Sequence, residues 1–269
     1  MLGHRGGAVD TLPQNDKIPM HQITWQVLTM KTFFYNRTAY PLLNLQVPKC
    51  FIELDEYFDK IFQSDSALYQ KSVLLVENLC HRMADVEVHA RYISEEQNRD
   101  NTFKAAIFIG TLLVGFFTSC KSVLDAGAIA LNAIYNLNLP EREQDFGKLK
   151  LLNRLKEKTG AVIYNRYLVY KNVIQEIIDW RDSAVHRHTP FCVVHSPGRP
   201  EVTTRDKQEI KLANQLDADI YKVVTMADTI QWVEPLHFYN KWHSQLIDFC
   251  ADICLDIRSQ TIEPTVGSY

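Results

Sequence analysis

Between Lys104 and Lys121 the chain runs Ala105-Ala106-Ile107-Phe108-Ile109-Gly110-Thr111-Leu112-Leu113-Val114-Gly115-Phe116-Phe117 without a charged residue. Such a stretch has to be shielded from water, and that need limits the folds open to the chain. The segment bracketed by the two lysines is shorter than the ~20 apolar residues that a bilayer core requires. It is therefore expected as the buried centre of a helical domain. Helical pattern extends it from about Asp100 to Asn136, where Asn136-Leu137-Asn138-Leu139-Pro140 supplies the stop.

The surrounding sequence repeats the theme. Ser64-Asp65-Ser66 is a plausible N-cap, and Leu68, Ser72, Leu75, Leu79, Ala84, Val88 and Tyr92 then recur at helical spacing to about Glu95. A segment from Glu141 to Lys158 begins acidic and ends basic, as the helix dipole prefers, and Gly160 follows it as a natural stop. A fourth helix starts near Ala161, and a last one spans about Pro235 to Ser259. Phe191-Cys192-Val193-Val194-His195 reads as a short strand, and Ser196-Pro197-Gly198-Arg199-Pro200 as a turn. The expected fold is all-α: an up-and-down helical bundle with a small β-hairpin or flap inserted after the fourth helix. Residues 1–48 mix Gly, Pro and Asn around the apolar patch Ile23-Thr24-Trp25-Gln26-Val27-Leu28 and are expected as an arm with one short element, with the helical domain at 49–269.

Composition narrows the function classes. With 46% hydrophobic and 23% charged residues over 269 positions, the chain can bury a substantial core. A net charge of -3 gives no global attraction for nucleic acid or an anionic membrane, so a polyanion would need a local basic patch. Lys148, Lys150, Arg154, Lys156 and Lys158, with only Glu157 among them, form one such run, which could hold an RNA backbone or be a solvated face. The start Met1-Leu2-Gly3-His4-Arg5-Gly6-Gly7 lacks an apolar h-region, so a cytoplasmic location is expected. The six cysteines form no Cys-x-x-Cys pair and are expected as reduced, buried thiols. Glu77, His81, Asp85 and His89 are spaced by four, but two histidines two turns apart lie about 12 Å from each other. A solvated face is the better account of that stripe. Neither a P-loop, a Gly-x-Gly-x-x-Gly, a Gly-x-Ser-x-Gly nor a His-Glu-x-x-His pattern occurs.

One local conflict remains. Ile163, Tyr167, Tyr170, Ile174, Ile177, Arg181 and Ala184 share one helical stripe, so Arg181 stands where residues pack inward. A guanidinium there has to meet a carboxylate, line a polar cleft or sit at an interface that holds anions. Asp125, one turn from Lys121 on the central helix, is the candidate carboxylate, with a local Lys121–Asp125 pair as the alternative. His186 follows Arg181 by five positions, about 140° around a continuous α-helix, so the two converge only if the helix ends or a second subunit intervenes. Pro190 disfavours helical geometry at Thr189 and places His186 in a last turn or the loop beyond. A fixed cation beside a group able to move protons near neutral pH suits phosphodiester cleavage.

Arg181-Asp182-Ser183-Ala184-Val185-His186, at the end of a bundle helix, resembles the Arg-x4-6-His signature of HEPN domains. The resemblance implies an α-helical bundle that dimerises with its motifs facing across the interface. It implies a metal-independent endoribonuclease of the kind found in toxin–antitoxin, phage-defence and RNA-processing systems. Arg181 and His186 would be the catalytic pair and Asp182 the polar residue that orients its neighbours, with Asp125, Lys121 and His188 supporting and Arg187, Lys148, Lys150, Arg154 and Lys156 contacting RNA. No metal, cofactor or membrane is implied; the expected partners are RNA, a second copy of the chain and an antitoxin or defence protein. The reaction would be attack of an RNA 2′-hydroxyl on its adjacent phosphate, a step closed to DNA. The rival from another class is a non-catalytic HEPN-like module that binds nucleotide, RNA or a protein partner and uses the motif to hold its dimer.

Overall fold

The computed structural model describes residues 40, 45–61, 67–98, 102–187, 191–195, 220–224 and 232–261. The expected arm, apart from Tyr40 and residues 45–48, and the expected turn at 196–200 lie outside the described residues. The described chain is mostly helical: α1 Lys49–Ile61, α2 Ala67–Gln97, α3 Thr102–Ile134, α4 Leu149–Thr159, α5 Ala161–Leu168, α6 Lys171–Asp182 and α7 His237–Thr261. Short strands β1 Phe191–His195, β2 Ile220–Val224 and β3 Trp232–Val233 lie between α6 and α7 in sequence.

The charge-free run became the first half of α3, and its faces divide as an amphipathic helix divides them. Ala105, Ile109, Leu113, Phe116 and Phe117 are buried, whereas Ile107 and Phe108 stand exposed. The length argument drawn from Lys104 and Lys121 does not hold for the whole element, because Lys104–Ile134 is long and apolar enough to cross a membrane by length and composition. Half of its most apolar stretch is nevertheless buried within the protein, as in a core helix. α2 and α3 run antiparallel: Lys71 Nζ donates to Ala133 O at 3.3 Å, and the His89 ring meets Ser119 at 3.2 Å. Gly115 makes room for that ring, since a Cβ there would lie 2.2 Å from His89 Nε2.

Two expected helices are interrupted, each by a tertiary demand. Glu141–Glu143 forms a 3-10 turn and α4 starts only at Leu149. Between them Asp145 Oδ1 accepts the Gly147 N–H at 2.9 Å, a side-chain turn that competes with helical bonding, while Phe146 turns into the core. The fourth expected helix breaks at Val169–Tyr170 into α5 and α6, within the stiff run Tyr167-Leu168-Val169-Tyr170. Both tyrosines there are tied to α7, Tyr167 to Asp256 at 2.6 Å and Tyr170 to Asp252 at 2.7 Å. α1 occupies residues to which the sequence pattern assigned no element; Phe51, Leu54 and Phe58, spaced by three and four, bury its inner face.

α7 is the spine against which the rest is placed. Tyr239 and His243 reach Glu87 on α2, Lys241 and Trp242 reach Glu176 on α6, and Arg166 and Tyr167 of α5 reach Asp256. β1 pairs antiparallel with β2, Phe191 opposite Val224 and His195 opposite Ile220, and β2 pairs with β3 through Val223–Val233 and Val224–Trp232. β1 lies against α3, so the chain leaving the motif folds back over the central helix.

Gly127 of α3 marks where that helix touches α7. A Cβ there would lie 2.5 Å from Phe249 Cζ, and Phe249 is itself held edge-to-face by Phe146, Tyr167 and Tyr170. Gly127→Ala is expected to cost about 1–3 kcal/mol through overpacking. Urea denaturation measures it, and an unchanged midpoint would mean that Phe249 is not seated on α3.

Candidate functional site

The orientation of Arg181 begins one residue earlier. Trp180 packs against Phe117 and Phe238, with ring centroids 5.4 and 4.3 Å away, and Ile177 and Ala184 on either side of it are buried. With those neighbours fixed in the core, Arg181 emerges half-buried at the end of α6, its side chain 32% exposed. Its Nη1 donates to Asp182 Oδ1 at 2.8 Å. The polar residue after the arginine therefore does hold the guanidinium, which leaves the other donors of the planar fork geometrically set.

Asp125 does not take Arg181. Its carboxylate accepts from Lys121, one turn away, and Lys121 also donates to Asp145 at 3.2 Å. The local pair that the spacing allowed is the one formed. The turn before α4 adds a second acceptor that no helical spacing could have revealed. Burial pushes the Asp145 carboxyl upward, but the Gly147 amide and the Lys121 ammonium outweigh it and hold it below the usual carboxylate range.

Past Asp182 the backbone changes geometry: Ser183–Arg187 forms a π-helical turn. Its hydrogen bonds close from residue i to i+5, which widens the coil and lessens the angle between residues five apart. Arg181 and His186 have that spacing. A continued α-helix would turn position 186 about 140° away from Arg181, and the wide turn reduces that angle. Such turns are rare and concentrate at functional sites. For His186 and Arg187 the structure describes the backbone, and His188 lies outside the described residues.

The basic run is occupied close to home. Lys150 pairs with Glu143 at 2.7 Å, Arg154 with Glu157 at 2.9 Å and with the Leu137 carbonyl at 3.3 Å, and Lys148 with the Arg142 carbonyl. Lys156 sits over the Tyr164 ring, 5.1 Å from its centroid. Leu152 and Asn153 of α4 share a cleft with Lys171, Ile174 and Gln175. α4 thus packs on α5 and meets only the start of α6, whereas Arg181 stands at the far end of that helix, about 15 Å along it from Lys171.

The polar stripe on α2 dissolves into local contacts: His81 faces Glu77 at 3.9 Å, Arg82 faces Asp85 at 3.6 Å, and His89 turns to α3. Among the described residues no group of three or more His, Cys, Asp or Glu side chains is placed to hold a metal.

Two buried carboxylate centres went unseen in the sequence. Glu87 accepts from Tyr239 at 2.8 Å and meets His243 between α2 and α7. Asp256 is almost wholly buried and accepts from Tyr167 at 2.6 Å and from Arg166. Burial raises the Asp256 carboxyl, with the Tyr167 hydroxyl and Arg166 opposing. A cleft of about 530 Å³ lined by Tyr135, Lys158, Arg166 and Asp256 opens beside it. The regular spacing Tyr239–His243 and Asp252–Asp256 on α7 was the available signal, but every partner lies at least 80 positions away.

No family model, curated protein or solved structure matches the chain. The likeness to HEPN domains rests on the motif residues themselves.

Asp256→Ala strands Arg166 and Tyr167, and the expected loss is about 3–5 kcal/mol by chemical denaturation; a loss below ~1 kcal/mol would show that the centre is solvated. Asp145 gives a pH dependence. Its folded pKa is depressed, so its stabilisation is complete above the unfolded carboxylate value of about 3.9 and is lost as pH falls through the folded value. The stability gap between wild type and Asp145→Asn is therefore expected to be widest near neutral pH and to shrink toward pH ~3. A gap that widened on acidification would reverse the assignment.

Proposed function

We propose that this chain is a HEPN-type endoribonuclease that cuts RNA without a metal, through Arg181 and His186. The observation that supports the reading is the passage from α-helix to π-turn directly after Arg181-Asp182, which reduces the angle between position 186 and the arginine. Asp182 holds one edge of the guanidinium. A planar guanidinium there is suited to grip a phosphate, whose charge grows in the transition state.

In the reaction, the 2′-hydroxyl oxygen attacks the adjacent phosphorus while its proton is taken up, and the bond to the 5′-oxygen breaks as that oxygen receives a proton. The products are a 2′,3′-cyclic phosphate and a 5′-hydroxyl. His186 moves the protons and Arg181 stabilises the five-coordinate phosphorus. The helices are proposed to form an up-and-down bundle that pairs with a second copy through the motif face, with β1 and its partners as a flap over the motif. A cytoplasmic toxin or defence effector, held by an antitoxin-like partner, is the setting that the resemblance suggests.

One observation favours the non-catalytic reading: Arg181 already holds a carboxylate, and Lys150 and Arg154 are ion-paired. Incubation of total RNA with purified protein in EDTA separates the two. Wild type is expected to cleave, Arg181→Ala and His186→Ala to lose about 100-fold or more, and single-stranded DNA to stay intact. Light scattering checks that each variant keeps its mass. Equal cleavage by wild type and His186→Ala would sink the enzyme, and no cleavage by any form alongside retained RNA binding would support the binding module.

A further inference from the structure

Four of the six cysteines, Cys50, Cys80, Cys250 and Cys254, belong to the three helices α1, α2 and α7, which pack together. Their surroundings differ. Cys80 and Cys250 are sealed in the core at 0% exposure, whereas Cys50 is partly exposed. Cys50 and Cys254 line the same small cavity of about 110 Å³ between α1 and α7, together with Glu53 and Arg258. The two thiols thus line one cavity, where Cys254 lowers the Cys50 thiol and Cys50 raises the Cys254 thiol. Cys254 is otherwise enclosed, and among the cysteines whose burial is described Cys50 is the one that solvent reaches.

We infer that Cys50 and Cys254 form a peroxide-responsive dithiol, oxidised first at Cys50 and then closed to a disulfide that clips α1 to α7. The Cys50 thiolate attacks one oxygen of the peroxide, the O–O bond breaks, and the second oxygen departs as hydroxide to become water. The resulting Cys50 sulfenic acid is attacked by the Cys254 sulfur. The S–O bond breaks, the S–S bond forms, and the displaced hydroxide leaves as water with the proton from Cys254. Overall two thiols and one hydrogen peroxide give one disulfide and two waters. The order of events follows from the asymmetry of the pair. The interaction with Cys254 pulls the Cys50 thiol down against its burial and against the negative charge of Glu53. The same interaction, together with being enclosed, raises the Cys254 thiol; burial alone raises Cys120 and, as the main cause, Cys80 and Cys250. Cys254 is thus suited to resolve and unsuited to react first.

Tryptic cleavage makes the bridge readable, because Cys50 falls in peptide 50–60 and Cys254 in peptide 242–258 together with Cys250. Reduced full-length protein is treated with a small excess of hydrogen peroxide, alkylated and mapped without reduction. The expected product is peptide 50–60 linked to 242–258 with two hydrogens lost, fragment ions placing the bridge on Cys254. Cys254→Ser should instead accumulate Cys50 sulfenic acid, captured by dimedone, and Cys50→Ser should give neither link nor label. Cys120 serves as the internal check of folding, since it stays unalkylated only while the core is intact. The proposal is overturned if folded wild type keeps an alkylatable Cys50 after peroxide, if dimedone labels Cys50 with no link forming, or if the link runs to Cys80 or Cys250.

Discussion

The aromatic cluster at the crossing of α3, α6 and α7 is the contact on which the rest of this structure depends. Phe116 stacks on Trp242 at 6.1 Å and 9°, and Phe117 meets Trp180, Phe238 and Trp242 within 6 Å. Aromatic pairs of this kind are each worth about 0.5–1.5 kcal/mol beyond the area they bury. Here they also fix the rotation of three helices at once. With Trp180 locked, the next residue has a set direction, and that residue is Arg181. The direction in which Arg181 leaves the helix is thus a by-product of core packing, and Asp182 then holds its guanidinium.

Polar contacts then assign each helix its register against α7. Glu87, Glu176, Asp252 and Asp256 each accept from a side chain on a facing segment, so sliding α7 by one turn would break all of these bonds and leave Asp256 unpaired in the interior. The close approaches at Gly115 and Gly127 work in the same direction, because only a residue without a Cβ admits the His89 and Phe249 rings there. Apolar burial supplies the drive for these helices to associate, and the carboxylates and glycines select one alignment among many of similar burial.

Much of the helical layout was legible from spacing. α2, α3 and α7 lie within a few residues of their expected ends, since long periodic segments state their own period. The misses share a cause. α4 starts late because Asp145 turns back onto Gly147, and the fourth helix is cut where Tyr167 and Tyr170 are bound by α7. Neither interruption carries a proline or a helix-breaking glycine pair to announce it. At the site, the coupling of Arg181 to Asp182 could be read from adjacency. The partner of Lys121 could be read only in half, Asp125 being one turn away and Asp145 lying on another element.

By itself, then, the amino-acid sequence determined the helical character of the chain, the burial of one face of its apolar run and the placing of an arginine on a packing stripe. These are properties of residue type and period, which act over one or two turns. Only the tertiary structure decided that Asp125 serves Lys121, that Lys150 and Arg154 pair with Glu143 and Glu157, and that Cys50 and Cys254 line one cavity. The same holds for the wide turn that follows Asp182, where β1 folds back over α3. Each of these depends on which elements are brought side by side, and that is governed by shape and by the need to pair every buried charge, neither of which has a period in the chain.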